Sequence, residues 1–210
     1  MARRHVELSV VAFVALLSLA SILHCMINRP IRRDRYLAAA RIALCLLLPG
    51  LHPPGGQAGE LSEITNLSSP RELNLPDLFG QQRSLDEFSS KVLLVNFWAS
   101  WCTPCLEEMP GIQRLAGILR DKPFAVIGVN VGETQRRVQV TAKRLDIEFT
   151  VLLDRDSTVF KDWGASVLPT SYILDRDGRV RYLGLGPLEW DRGDIVKLLQ
   201  ELLTEKRLND

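Results

Sequence analysis

The 210-residue chain predicts an α/β fold, a mixed β-sheet with helices on both faces, from three observations. Val92–Phe97 and Phe124–Val131 are continuous apolar runs, as expected of strands buried on both faces. Each is followed by a segment of helical pattern, and strand-helix alternation implies parallel crossovers. Finally, Asp177-Gly178 stands between the short runs Ser171–Leu174 and Val180–Leu183, the strongest hairpin signal in the chain, so the sheet ends in an antiparallel pair.

The elements follow in order. Leu8–Ile27 and Leu37–Leu51 are apolar segments separated by Arg29, Arg32, Arg33 and Arg35. Twenty apolar residues can span a bilayer, whereas the second segment, interrupted by Arg41, is short for a span and suits a signal-peptide core. An arginine cluster outside the membrane would break the positive-inside tendency. A start at Met26 resolves the conflict, with Arg29–Arg35 as a basic leader, Leu37–Leu48 as its core and Gly56-Gln57-Ala58 as a cleavage site. Anchored and cleaved forms both stay open, and both export everything after residue 59. Residues 1–58 are therefore expected to be membrane or signal segments with a Pro/Gly-rich linker, residues 59–70 a loosely ordered polar linker, and residues 71–210 the folded domain.

Within that domain, Leu73–Leu78 and Arg83–Leu85 flank Gly80 as a short hairpin, and Ser84 or Asp86 starts a brief helical turn. The strand Val92–Phe97 leads into a helix over Leu106–Leu119, which Pro110 should kink because it cannot donate to the Leu106 carbonyl. After the strand Phe124–Val131 come a charged helix over Glu133–Leu145 and a short strand Thr150–Leu153. Ser157 is expected to cap a short helix that reaches Trp163 and stops at Gly164. Asp191 is expected to cap a last amphipathic helix through about Leu203. The chain contains no internal repeat.

Charge is unevenly divided. Residues 1–58 carry seven Arg against Glu7 and Asp34, while residues 59–210 carry 19 Lys and Arg against 23 Asp and Glu. The basic excess thus belongs to the head, and the mildly acidic domain has no basic patch that would argue for nucleic acid.

Chemistry concentrates in Trp101-Cys102-Thr103-Pro104-Cys105, which follows a strand and opens a helix. The first amides of a helix lack intrahelical partners and carry partial positive charge, so an anion there is stabilised. Cys102 should therefore ionise readily, its pKa falling from about 8.5 into the roughly 3.5–7.5 range of CxxC thiols. Cys105, one turn further in, can attack a mixed disulfide at Cys102 and release its partner. A structural zinc site needs about four ligands, and past residue 52 the chain offers no further Cys and no His, so no metal is expected. Cys25 and Cys45 lack the small preceding residue of a lipoprotein site and read as small apolar residues. Asp154 with Asp156, and Asp175 with Asp177, do not continue to the distal Glu of a calcium loop and read as capping and turn residues. Trp98 reads as core packing, whereas Trp101 is expected to shield the disulfide and help form the docking surface.

Leu75-Pro76-Asp77-Leu78, Ser84-Leu85, Val95-Asn96-Phe97-Trp98-Ala99, the CxxC stretch, Glu108-Met109-Pro110 and Leu168-Pro169-Thr170 together resemble the TlpA/ResA group of thioredoxin-like proteins, over about residues 70–205. The resemblance implies a thioredoxin-like sheet with an N-terminal hairpin and, at Glu133–Leu153, the group's helix-strand insertion. It implies an extracytoplasmic thiol-disulfide oxidoreductase without a cofactor, often a reductant in cytochrome c maturation, with protein thiols or disulfides as substrates and a membrane dithiol relay as electron donor. Residue by residue, it makes Pro169 a cis-proline that turns the chain and presents the backbone of Leu168 beside the thiols, where a substrate peptide can pair as an added strand, with Trp101 and Thr170 in the same surface. Glu108, three residues past Cys105 on the same helical face, resembles a glutamate implicated in proton handling and partner recognition; as a residue it reads equally as a solvated first-turn acid. Asn96 stands where thioredoxin itself has a buried Asp, so proton transfer falls to Glu108, water or the partner. The direction of exchange stays open between a reductant and an oxidant or isomerase. A thiol peroxidase or a non-catalytic binding module is the remaining alternative, and Ala99 stands where a peroxidase would place Thr.

Overall fold

Apolar strands dictate the architecture. The computed structural model describes residues 59–64 and 72–207. The two apolar head segments and residues 65–70 of the expected polar linker lie outside the described residues. The elements are β1 Glu60–Glu63, β2 Asn74–Pro76, β3 Gln82–Ser84, a 3₁₀ turn Leu85–Phe88, β4 Val92–Trp98, α1 Thr103–Ile118, β5 Phe124–Val131, α2 Gln135–Arg144, β6 Thr150–Asp154, α3 Thr158–Asp162, β7 Thr170–Leu174, β8 Val180–Leu185 and α4 Gly193–Thr204.

Six strands form one mixed sheet in the order β1-β8-β7-β4-β5-β6. The β4, β5 and β6 strands are parallel, while β7 runs antiparallel to β4, β8 to β7 and β1 to β8. Every residue of β4 is buried, which is why its sequence shows no alternation. Its side chains still alternate between two cores: Val92, Leu94 and Trp98 pack with α1, α2 and α4, and Leu93, Val95 and Phe97 pack with the β2–β3 hairpin, the 3₁₀ turn and Trp163. Helices on both faces are thus as expected. On the second face Phe97, Phe160, Trp163 and Tyr172 meet edge to face, the arrangement favoured by ring quadrupoles. Trp98 is fully buried over Gly128, where any Cβ would lie 3.2 Å from its indole nitrogen.

Four expectations are corrected. Glu60–Glu63 is a strand and not loose linker: its backbone completes the open edge of β8, and Leu61 is its one apolar residue, packed on the core. Ser157 occupies the N-cap position of α3 but has a left-handed backbone and gives no side-chain cap; the carboxylate of Asp154 accepts from the amides of Val159 and Phe160 instead, at 3.3 and 2.8 Å. Arg192, not Asp191, stands at the N-cap of α4, and Asp191 pairs with Arg114 at 2.6 Å. The α1 helix also begins three residues before the expected start, directly at Thr103.

Candidate active site

The site lies at the carboxyl end of β4, where the chain turns into α1. Register puts Phe97 opposite Thr170, so the segment before β7 meets the segment after β4. Cys102 is the N-cap of α1, with an extended backbone, and its sulfur accepts from the Cys105 amide at 3.3 Å. The two sulfurs are bonded to each other, with Cα atoms 5.3 Å apart. Helix geometry accounts for the pairing, since residues three apart lie on one face. Cys105 is wholly buried and Cys102 is 6% exposed. Cys102 lines an open groove of about 570 Å³ together with Trp101, Pro104, Phe160, Val167 and Leu168. Of these, Trp101 is 63% exposed and forms an apolar rim with the exposed Val167.

The Leu168–Pro169 bond is cis. Thr170 is buried, its hydroxyl donating to the Val167 carbonyl at 2.7 Å, which folds the loop back on itself. The Pro169 carbonyl accepts from Gly186 at 3.0 Å, while Leu168 has no backbone hydrogen bond among the described residues. The backbone edge of Leu168 is therefore unpaired at the wall of the groove.

Glu108 is not a solvated first-turn acid. It is 4% exposed, and its Oε1 accepts from Asn96 Nδ2 at 2.7 Å while Oε2 accepts from the Leu188 amide and the Trp190 indole, each at 3.1 Å. Burial pushes its pKa up to about 7, against the lowering effect of those three donors, because removal from water penalises the charged form. Asn96 also donates to Ser171 Oγ at 2.9 Å, and its own Oδ1 has no partner. Rotating that amide by half a turn would let Oδ1 accept from a protonated Glu108, so the asparagine can serve either charge state of the carboxyl.

Glu133 was legible only as part of a charged helix, and it holds the loop before the thiols. Its carboxylate accepts from the Ser100 amide at 2.6 Å, from the Ser100 hydroxyl and from Asn130 at 2.8 Å, and it pairs with Arg137 at 2.9 Å. Burial raises its pKa, but the hydrogen bonds from Ser100 and Asn130 and the charge of Arg137 outweigh that and hold it below the ordinary range. Nothing in the sequence marks Glu133, because its partner loop lies 33 residues away. Among the described residues no cluster of His, Cys, Asp and Glu could hold a metal ion, and no helix is long and apolar enough to cross a membrane.

Residues 60–199 match the model of the Redoxin family. The chain is 32% identical over 135 residues to the thiol-disulfide oxidoreductase ResA of Geobacillus thermodenitrificans, covering 64% of this chain and 76% of that one. It is 36% identical over 104 residues to ResA of Bacillus thuringiensis, covering 50% of this chain and 60% of the relative. Among solved structures, a thiol-disulfide oxidoreductase from Bacteroides fragilis superposes with a TM-score of 0.57 at 25% identity, covering 65% of this chain and all of that one (100%).

Proposed function

The chain belongs to the Redoxin family, within its ResA/TlpA-like thioredoxin branch, and from that premise we propose that it is an exported thiol-disulfide oxidoreductase that reduces specific extracytoplasmic proteins. The observation that carries this reading is a helix-capping Cys102 bonded to Cys105 at the wall of an open apolar groove, beside the free backbone of Leu168.

The cycle starts from the reduced pair. Helix-end amides stabilise the Cys102 thiolate, which attacks a disulfide of the bound protein; one substrate thiolate leaves and a mixed disulfide forms. Glu108 takes the proton of the buried Cys105 thiol, either directly or through water. The Cys105 thiolate then attacks the Cys102 sulfur, the second substrate thiolate leaves, and the Cys102–Cys105 disulfide remains. Two electrons have passed to the substrate, whose thiolates take up protons from water and Glu108. A membrane dithiol relay returns the chain to its reduced form. Trp101 and Leu168 dock the substrate peptide, while Pro169 and Thr170, which is wholly buried and not part of the docking surface expected for it, shape the loop that presents Leu168, and no cofactor takes part.

Residues 1–58 serve as signal or membrane segments, and residues 71–210 hold the chemistry. The resemblance to TlpA/ResA proteins and the apolar Leu8–Ile27 and Leu37–Leu51 segments support export, and reduction of apocytochrome c in its maturation is the substrate class the resemblance favours.

Trapping tests the reading. Cys105→Ser should accumulate mixed disulfides with exported proteins at Cys102, and Cys102→Ser should abolish turnover. A couple near the reducing end of the roughly −270 to −120 mV range known for such folds supports the reductant. A couple at the oxidising end that turns over reduced secreted proteins would make the chain an oxidant or isomerase instead.

A further inference from the structure

The segment Gly186–Trp190, between β8 and α4, runs against the active-site helix and is fastened at each step. Gly186 donates to the Pro169 carbonyl, the Pro187 carbonyl accepts from Gly59 at 2.7 Å, and Leu188 and Trp190 both donate to Glu108. Gly111 of α1 gives the strap room: a Cβ there would lie 3.2 Å from Asp191 Oδ1 and 3.6 Å from the Trp190 amide nitrogen. The Arg114–Asp191 ion pair closes the strap on the next turn of the helix.

We propose that Trp190 is a positioning residue for Glu108: its indole N–H, with the Leu188 amide, holds Oε2 of the carboxyl in the core beside the thiol helix and keeps a charged form accessible there. This rests on the reading of Glu108 as the proton acceptor of the exchange. Core packing alone would not ask for an indole at this position. Trp98 and Trp163 are also buried, and their N–H groups have no hydrogen-bond partner, so this core accommodates orphaned indoles. That of Trp190 is instead directed at a carboxylate.

Neutral donors control this carboxyl. No cation pairs with Glu108 among the described residues, and β4 and β7 present only Asn96 and Ser171. The titratable groups around it are Cys102 and Cys105 on its own helix when reduced, the exposed Glu107 and Glu189, and Asp191, which Arg114 already neutralises. A hydrogen bond to a charged group favours the charged form, so its loss must raise the affinity for the proton.

The test uses the full chain with Trp190→Phe, which keeps an aromatic ring, and with benzothienylalanine placed at 190, which replaces only the N–H by sulfur. The carboxyl of Glu108 is titrated by infrared difference spectroscopy, with Glu108→Gln as the blank. The expected result is an inflection displaced upward by about one pH unit, a tenfold tighter hold on the proton, in both variants. The pH profile of exchange with oxidised glutathione should follow it. An inflection that stays at the wild-type pH in a folded variant overturns the proposal, and if Trp190→Phe fails to fold, the sulfur analogue decides. If Glu108→Gln keeps the wild-type pH profile of exchange, Glu108 is not the proton acceptor. The infrared inflection still judges the hold of Trp190 on the carboxyl.

Discussion

Glu108 joins sequence, stability and chemistry in one side chain. Its folded pKa of about 7 lies above the 4.5 of an ordinary glutamate, so between these two the native state binds more protons than the unfolded chain. Stability then falls as pH rises through that window, and the penalty is complete above about 7, amounting to about 3 kcal/mol at most. Glu108→Gln is neutral at every pH and can donate to the orphaned Oδ1 of Asn96. Urea denaturation of the oxidised chain at pH 5 and pH 8 should show stability declining across the interval in the wild type, with that part of the decline gone in the variant. A wild-type slope in the variant would mean that another group titrates. Glu133 works in the opposite sense: its lowered pKa stabilises the fold at neutral pH, and that contribution fades as pH falls below the ordinary carboxylate range. Glu133→Ala leaves the Ser100 amide and Asn130 without their acceptor and should lower stability by about 2–3 kcal/mol at pH 7, measured by denaturant unfolding. The thiol pair could be read from five consecutive residues because its chemistry is local. The state of Glu108 could not, since two of its three donors stand 80 and 82 residues away.

At the scale of elements, apolar content made the buried strands readable and polar content hid β1. A strand of Glu60, Leu61, Ser62 and Glu63 has a single apolar side chain, and it forms because the β8 edge offers unpaired backbone groups. Capping was misread for a related reason. Ser157 and Asp191 stand where caps belong in sequence, but the carboxylate that reaches the α3 amides projects from the end of β6, and Asp191 has a guanidinium within reach. Burial raises the pKa of Asp154, opposed by the hydrogen bonds from Phe160 and Val159. The α3 helix is one wall of the groove through Phe160 and Lys161. Asp154→Ala should therefore destabilise the chain by about 1–2 kcal/mol. It should also slow exchange with a peptide disulfide more than exchange with oxidised glutathione, because the peptide alone needs that wall. Equal slowing of both would place the effect at the thiols.

Across the whole molecule, the sheet brings distant segments to one point. The β4 strand supplies the turn into the thiols, β7 supplies the cis-proline loop against it, and the strap after β8 reaches Glu108 and the first described residue, Gly59, at once. The fold class and the thiol pair were legible because they follow from apolar runs and one short motif. The strap was not, since only tertiary structure brings residues 59, 108, 169 and 186–190 together. Close backbone approach fastens that corner: a Cβ on Gly59 would lie 2.6 Å from the carbonyl carbon and oxygen of Gly186. Gly59→Ala should unseat the start of β1, with a loss of about 1–3 kcal/mol and faster hydrogen exchange at the residue 59 amide that donates to the Pro187 carbonyl. Unchanged exchange there would show that the edge strand is held without this contact.

The most direct measurement is alkylation of the reduced chain with iodoacetamide across pH, with each cysteine mapped by mass spectrometry. A helix-capping nucleophile predicts that Cys102 reacts first, with an inflection below the roughly 8.5 of a free thiol, while Cys105 stays protected. Equal reaction of the two sulfurs, or Cys105 ahead of Cys102, with both inflections near about 8.5, would contradict it.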